Sequence, residues 1–208
     1  MDISYLGAGC VKLSGKSLTV VCDPYEAASG LPAVSAKAEL VTVSGPEGLG
    51  RVAGAQQVFD SPGEYEIKGV TVVGVPARLH IDEDGQRGTV FGFAMDGVGV
   101  VVTGNIAGKL DDREIERLGK IDVLVVPVGG HGLTLDAEGA AELVSQLEPS
   151  YVVPVHFDDG KTKYAVPQDG VGEFLKEMGA SEVEPVGKLK INPREMPEET
   201  QIVVLARA

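Results

Sequence analysis

Ala38-Glu39-Leu40-Val41-Thr42-Val43-Ser44-Gly45-Pro46-Glu47-Gly48-Leu49-Gly50 reads as an apolar strand that runs into a glycine-rich loop with almost no reactive side chains. The one titratable group of the loop is Glu47. What that lack means depends on the elements around it.

The chain has 208 residues and 43% hydrophobic content, enough to bury a sizeable core, and is expected to form a single domain over residues 1–208. Eighteen Lys and Arg against 31 Asp and Glu give a formal charge of −13, so the mean field repels phosphate backbones and acidic headgroups. Nucleic acid and membrane are therefore excluded as expected partners. No apolar run reaches the roughly 18 residues of a bilayer span, and no basic leader precedes Asp2, which makes a cytoplasmic location the expectation. Cys10 and Cys22 are too few for a disulfide framework and read as buried thiols.

Upstream of the opening stretch, Asp2–Leu6, Cys10–Leu13 and Ser17–Cys22 read as an antiparallel meander that Asp23-Pro24 ends, because proline cannot donate to a ladder. Downstream, Glu64–Ile67 and Val70–Val75 form a hairpin across Lys68-Gly69. Thr89–Met95 and Val98–Thr103 form another across Asp96-Gly97. From Asp111 the pattern changes. Asp111 and Glu114 form a capping-box signature and Gly119 a stop, so a helix is predicted between them. Val123–Val126 is a continuous apolar run, as a strand covered on both faces requires. Ala140, Leu143, Val144 and Leu147 mark a second helix, and Val171, Phe174, Leu175 and Met178 a third. Tyr151–Val155 is a strand that delivers His156, and two last strands are predicted around Val183–Val186 and Ile202–Leu205. A β-rich half followed by alternating α and β suggests two packed sheets flanked by helices.

The order of Tyr5-Leu6-Gly7-Ala8-Gly9-Cys10, Asp23-Pro24, Gly63-Glu64-Tyr65-Glu66, Pro127-Val128-Gly129-Gly130 and Pro154-Val155-His156-Phe157 resembles the metallo-β-lactamase superfamily, in its small bacterial Zn-dependent hydrolase branch. The resemblance implies an α+β fold, a four-layer αββα sandwich. It also implies a site for two metals about 3.5–4 Å apart, held mainly by an H-x-H-x-D-H loop after a strand. Matching that strand to Glu39–Val43 puts Gly45, Glu47, Leu49 and Gly50 at the four ligand positions. Ala8 stands where the family has a His, and Asn105 where it has a bridging Asp. The last family His is present as His156, and His80 falls near another family ligand.

Two readings of these residues stay open. In the first, most metal ligands are lost, no cofactor and no catalytic residue are expected, and the protein binds, regulates or assembles with an unidentified small molecule or protein partner. Ala8, Gly45, Glu47, Leu49, Gly50 and Asn105 then line the former ligand pocket, and His156 and His80 are remnants. In the second, the protein is a divergent hydrolase in which some of Glu47, His80, His131 and His156 hold one zinc or other divalent ion. His131, after the Pro127–Gly130 strand end, is a further pocket candidate. A third reading makes the chain a structural subunit of a homo-oligomer. The loop lacks the G-x-x-x-x-G-K-[ST] pattern of a phosphate cradle, and no G-x-S-x-G nucleophile motif occurs.

Overall fold

The computed structural model describes residues 1–26, 29–45, 50–80, 87–180 and 183–208. In chain order its elements are β1 (Asp2–Gly7), β2 (Cys10–Ser14), β3 (Thr19–Cys22), β4 (Leu40–Thr42), β5 (Gln57–Phe59), β6 (Gly63–Ile67), β7 (Val70–Arg78), β8 (Arg87–Met95), β9 (Val98–Val102), α1 (Asp112–Leu118), β10 (Val123–Pro127), α2 (Ala137–Leu147), β11 (Tyr151–Val155), α3 (Val171–Glu177), β12 (Leu189–Lys190) and β13 (Gln201–Ile202). They form two mixed sheets, of strand order β12-β1-β2-β3-β4-β5 and β13-β11-β10-β9-β8-β7-β6. The fold is the expected α+β sandwich.

Local chemistry explains most of the connections. Lys68-Gly69 and Asp96-Gly97 both have φ between 51° and 81°, the left-handed pair that a tight hairpin turn needs to match strand twist. Asp111 caps α1 through its side chain on the Glu114 amide, while the Glu114 carboxylate accepts from the Asp111 amide, closing the capping box. Gly119 ends that helix at φ 74°. The predicted strand around Val183–Val186 is reduced to a bridge between Val186 and Leu205, and Ser181 and Glu182 lie outside the described residues. Tail pairing falls instead to β12, on β1, and β13, on β11.

The main core lies between the sheets. Ile3, Tyr5, Leu13, Val20 and Leu40 from one face meet Val72, Phe91, Phe93, Val100 and Val102 from the other in one buried cluster. On β1 buried and half-exposed residues alternate, whereas β9 and β10 are buried throughout. The second pattern requires cover on both faces, and α1 and α2 pack against the seven-stranded sheet to provide it. Cys10 and Cys22 are buried free thiols, and burial pushes both upward in pKa.

The strands of this sheet approach their neighbours closely. A Cβ on Gly99 would lie 1.9 Å from the Lys120 carbonyl oxygen, and the Gly99 amide donates to the buried Asp122 carboxylate at 2.8 Å. Gly99→Ala is therefore expected to lower stability by about 2 kcal/mol or more. Gly108→Ala, which meets nothing within 4 Å, should stay within about 0.5 kcal/mol of the parent protein. Urea unfolding midpoints of the two variants check the contrast.

Candidate functional site

Seven strands stop at the same end of the sandwich, and the residues just past them enclose a cavity of about 300 Å³. Ala8 and Gly9 follow β1; Asp23, Pro24 and Tyr25 follow β3; Val43, Ser44 and Gly45 follow β4. Leu79 follows β7, Gly104 and Asn105 follow β9, Pro127 ends β10, and Val155 and His156 close β11. Functional side chains in sheet proteins gather at such carboxyl ends, because the backbone there turns away and releases the side chain.

The turns are tight. Ala8, Asp23 and His156 all take left-handed backbone, with φ of 51°, 48° and 52°. Each such non-glycine residue costs roughly 1 kcal/mol or more and persists only where the surroundings impose it. The impositions are visible. The His156 amide donates to the Ala8 carbonyl at 2.8 Å, joining the end of β11 to the first turn of the opposite sheet. The Asp23 carboxylate accepts from the Ser44 amide at 2.6 Å and the Ser44 hydroxyl at 2.9 Å, joining the ends of β3 and β4. Gly104 packs against Ser44, where an added Cβ would sit 2.3 Å from that of the serine.

His156 is the imidazole of this cavity. It is 5% exposed, its ring lies 4.5 Å from that of Tyr164, and its Nδ1 is 3.3 Å from Gln168 Oε1. The Gln168 amide nitrogen donates to the carbonyls of Gly130 and Pro167. That fixes Oε1 as the atom facing the ring, so Nδ1 carries the proton and Nε2 keeps a lone pair. Cδ2 of the ring lies 3.6 Å from where a Cβ on Gly9 would lie, and both residues line the cavity. Burial lowers the His156 pKa to about 4, against a smaller upward pull from Gln168, so the ring is neutral at pH 7.

The other candidates are placed differently. Ala8, Gly45 and Asn105 share the cavity with His156, while Glu47 and Leu49 lie outside the described residues. Gly50 donates its amide to the Pro24 carbonyl at 2.9 Å and is not part of the lining; a Cβ there would meet the Tyr25 backbone at 2.0 Å. His80 is held by its amide on the Asn105 carbonyl, and its neighbour Leu79, not His80, lines the cavity. His131 is exposed, with Nε2 3.0 Å from the Asp169 carboxylate, and stands apart from the lining. Sequence reading gave Asp23 only a turn duty and missed Ser44, Tyr25 and Gln168. The Asp-Pro strand end was the usable signal for the first, whereas Gln168 sits in an irregular stretch with no motif.

The sandwich carries its cavity at the carboxyl ends of its strands. The sequence profile described as "Beta-lactamase superfamily domain" matches residues 2–156. The chain belongs to the metallo-β-lactamase superfamily. A UPF0173 metal-dependent hydrolase from Pyrococcus abyssi (strain GE5 / Orsay) is 35% identical over 132 residues, 61% of this chain and 56% of that protein. The chain thus spans about half the length of the first curated relatives it matches. Another UPF0173 metal-dependent hydrolase, from Pyrococcus furiosus, is 28% identical over 218 residues, 86% of this chain and 92% of that protein. The crystal structure of a proposed Zn-dependent hydrolase of the superfamily from Thermotoga maritima superposes with TM-score 0.79 at 29% identity, covering 98% of this chain and 97% of that one.

These relatives correct the first reading of the sequence. The expectation of no cofactor rested on the sparse loop at Gly45–Gly50, but proteins alike over most of the chain are named for metal-dependent hydrolysis, and a purely non-hydrolytic role finds no support among them. A loop without histidines removes one arrangement of ligands and leaves the cavity and His156 in place. The donor set limits what can be held. Among the described residues no three His, Cys, Asp or Glu side chains cluster for a metal, so they do not fit a metal pair. The cavity offers one imidazole, His156, and one carboxylate, Asp23, which suit a single ion by donor type.

The buried neutral ring makes folding sensitive to acid. His156 takes a proton near pH 6.5 when unfolded but only near 4 when folded, so its contribution is complete above 6.5 and is lost as pH falls toward 4. The loss amounts to about 3 kcal/mol. Asn tolerates left-handed backbone, so His156→Asn should remove most of this dependence. Urea unfolding of both proteins across that pH range measures it.

Proposed function

We propose that the protein is a divergent metal-dependent hydrolase working with a reduced, single-ion site in the cavity at the carboxyl strand ends. The observation that carries this reading is His156. It is buried, neutral at pH 7, fixed in the tautomer that leaves Nε2 available, and braced by Gln168 on Nδ1. A ring nitrogen held in this way by a second hydrogen bond is how an imidazole is oriented toward a cation. The names of the relatives, metal-dependent and Zn-dependent hydrolases, supply the class of reaction.

His156 through Nε2, with Asp23, would hold the ion; when bound, it supplies Lewis-acid polarisation of the scissile bond. The remaining roles belong to the chain. Ser44 keeps the Asp23 carboxylate in one orientation by two hydrogen bonds. Tyr25 donates its hydroxyl to the Leu6 carbonyl at 3.1 Å, which anchors its ring on the rim. Leu79, Val43 and Pro127 give the cavity apolar walls that exclude bulk water and strengthen every polar contact inside. Glu47, two residues past Gly45 in sequence, is the nearest additional carboxylate on that loop.

Protein purified with zinc or manganese supplied is expected to carry roughly one ion per chain, and His156→Ala to lose most of it, because a site with so few protein ligands depends on each. Elemental analysis of both proteins, with circular dichroism to show that the variant is folded, measures this. Metal-free wild type, or full metal retention in folded His156→Ala, would sink the reading.

A further inference from the structure

Away from the cavity, the two sheets end side by side in strands that bury little. β5 closes the six-stranded sheet and β6 the seven-stranded one, and over residues 53–66 every residue except Phe59, Gly63 and Tyr65 is exposed. Phe59 and Tyr65 stack with ring centroids 4.0 Å apart, which fastens the two edges to each other. Val58, 46% exposed, is the most exposed large apolar side chain among the described residues. The Gln57 amide donates to the Glu39 carbonyl at 3.2 Å and the Phe59 carbonyl accepts from the Val43 amide at 2.9 Å, so both residues turn their backbone groups to β4. Val58, between them, turns its N–H and C=O the other way, and among the described residues neither has a partner outside the ladder. Exposed edges are ordinarily guarded by charge or proline. β6 follows that rule with exposed Glu64 and Glu66. β5 does not: from Val52 to Phe59 the chain carries no charge, in a protein of net charge −13.

We infer that β5 is the docking strand for a second copy of this chain, paired antiparallel about a two-fold axis at Val58. Backbone and charge both select that occupant. In an antiparallel pair centred on Val58 the two copies exchange both of its outward bonds, the self-complementary match that a two-fold interface requires. Asp60 follows the carboxyl end of β5, whereas Lys37, exposed and bridged to Ala53, stands at the amino end. Antiparallel pairing brings Asp60 of one copy to the Lys37 end of the other instead of to its own counterpart, so like charges are not set opposite each other. The other charged groups along these edges are largely engaged. The Glu39 carboxylate accepts from Lys68 and from the Thr19 amide, and Glu64 lies 3.9 Å from Arg117. Glu66 and Arg51 are exposed, on β6 and on the segment that precedes Gly54. A strand of three residues carries a modest interface, so the expected dissociation constant is about 1–50 µM. None of residues 51–68 lines the cavity, so this surface stands apart from the hydrolase reading and neither depends on the other.

Sedimentation equilibrium of the chain from about 1 to 200 µM is expected to show a monomer–dimer equilibrium. Two substitutions at the centre of the pairing test its place. Val58→Pro removes the outward N–H, and proline fits an edge strand where the amide faces away from the ladder. Val58→Lys puts two like charges opposite each other across the axis. Both variants should keep the parent circular dichroism spectrum and weaken the dimer at least about tenfold. Val186→Lys, at a valine 43% exposed elsewhere on the surface, should leave the dimer unchanged. A wild-type chain that stays monomeric at about 200 µM, a dimer that persists in folded Val58→Pro and Val58→Lys, or an equal loss in Val186→Lys overturns the inference.

Discussion

One backbone hydrogen bond, from the His156 amide to the Ala8 carbonyl at 2.8 Å, joins the two sheets where the cavity opens. Each partner is held in left-handed backbone. Elsewhere the faces of the two sheets meet mainly through apolar side chains, with a second backbone bond from the Thr89 amide to the Ser44 carbonyl at 2.8 Å on the β8 side. Apolar packing has no direction and tolerates small slippage. A hydrogen bond between strand ends does not, so this contact sets the position of β11 against the turn after β1 and hence the place of the His156 ring. The strain of roughly 1 kcal/mol or more at each residue is sustained because the sheets on both sides over-determine it.

The second joint, Asp23 to Ser44, does for β3 and β4 what the first does for the sheets. β3 and β4 run parallel and end together; just past their ends the Asp23 amide still donates to the Thr42 carbonyl and the Val43 amide to the Phe59 carbonyl. The Asp23 carboxylate takes up the Ser44 amide and hydroxyl, so a charge at the cavity edge is also a structural bracket. Its chemistry is therefore shared between fold and function. A carboxylate that already accepts two hydrogen bonds is restricted in the directions from which it can meet a ligand.

The framework was legible because its signals are local. Alternation on β1, the capping box of Asp111 and Glu114, the turn residues Lys68-Gly69 and Asp96-Gly97, and the unbroken run at Val123–Val126 each state their structure within a few residues. The tail around Val183 was less so. A strand there would need neighbours distant in sequence, and the pairing fell to Leu189–Lys190 and Gln201–Ile202 instead. Of the candidate site, His156 at a strand end was readable, as were Ala8, Gly45 and Asn105 by position. Gln168 was not, because its role is to fix a tautomer by three contacts made through space, and no spacing encodes that.

The loop after β4 gains a different meaning from this geometry. Read as a list of missing histidines, Gly45–Gly50 pointed to a protein without a cofactor, and the relatives overturn that. Read as backbone, its described ends are constrained. Gly50 approaches Tyr25 so closely that any side chain would collide with its carbonyl, and its amide bonds to Pro24. Gly45 lines the cavity beside Leu79, with open room of about 3.7 Å to that side chain. Glycine at position 50 thus satisfies a demand of close approach, independent of ligand chemistry, whereas position 45 has room for a side chain. A histidine at position 50 would displace Tyr25 and Pro24, both of which line the cavity. Position 50 is therefore coupled to the shape of the cavity: the wall formed by Pro24 and Tyr25 and a side chain at position 50 cannot occupy the same space.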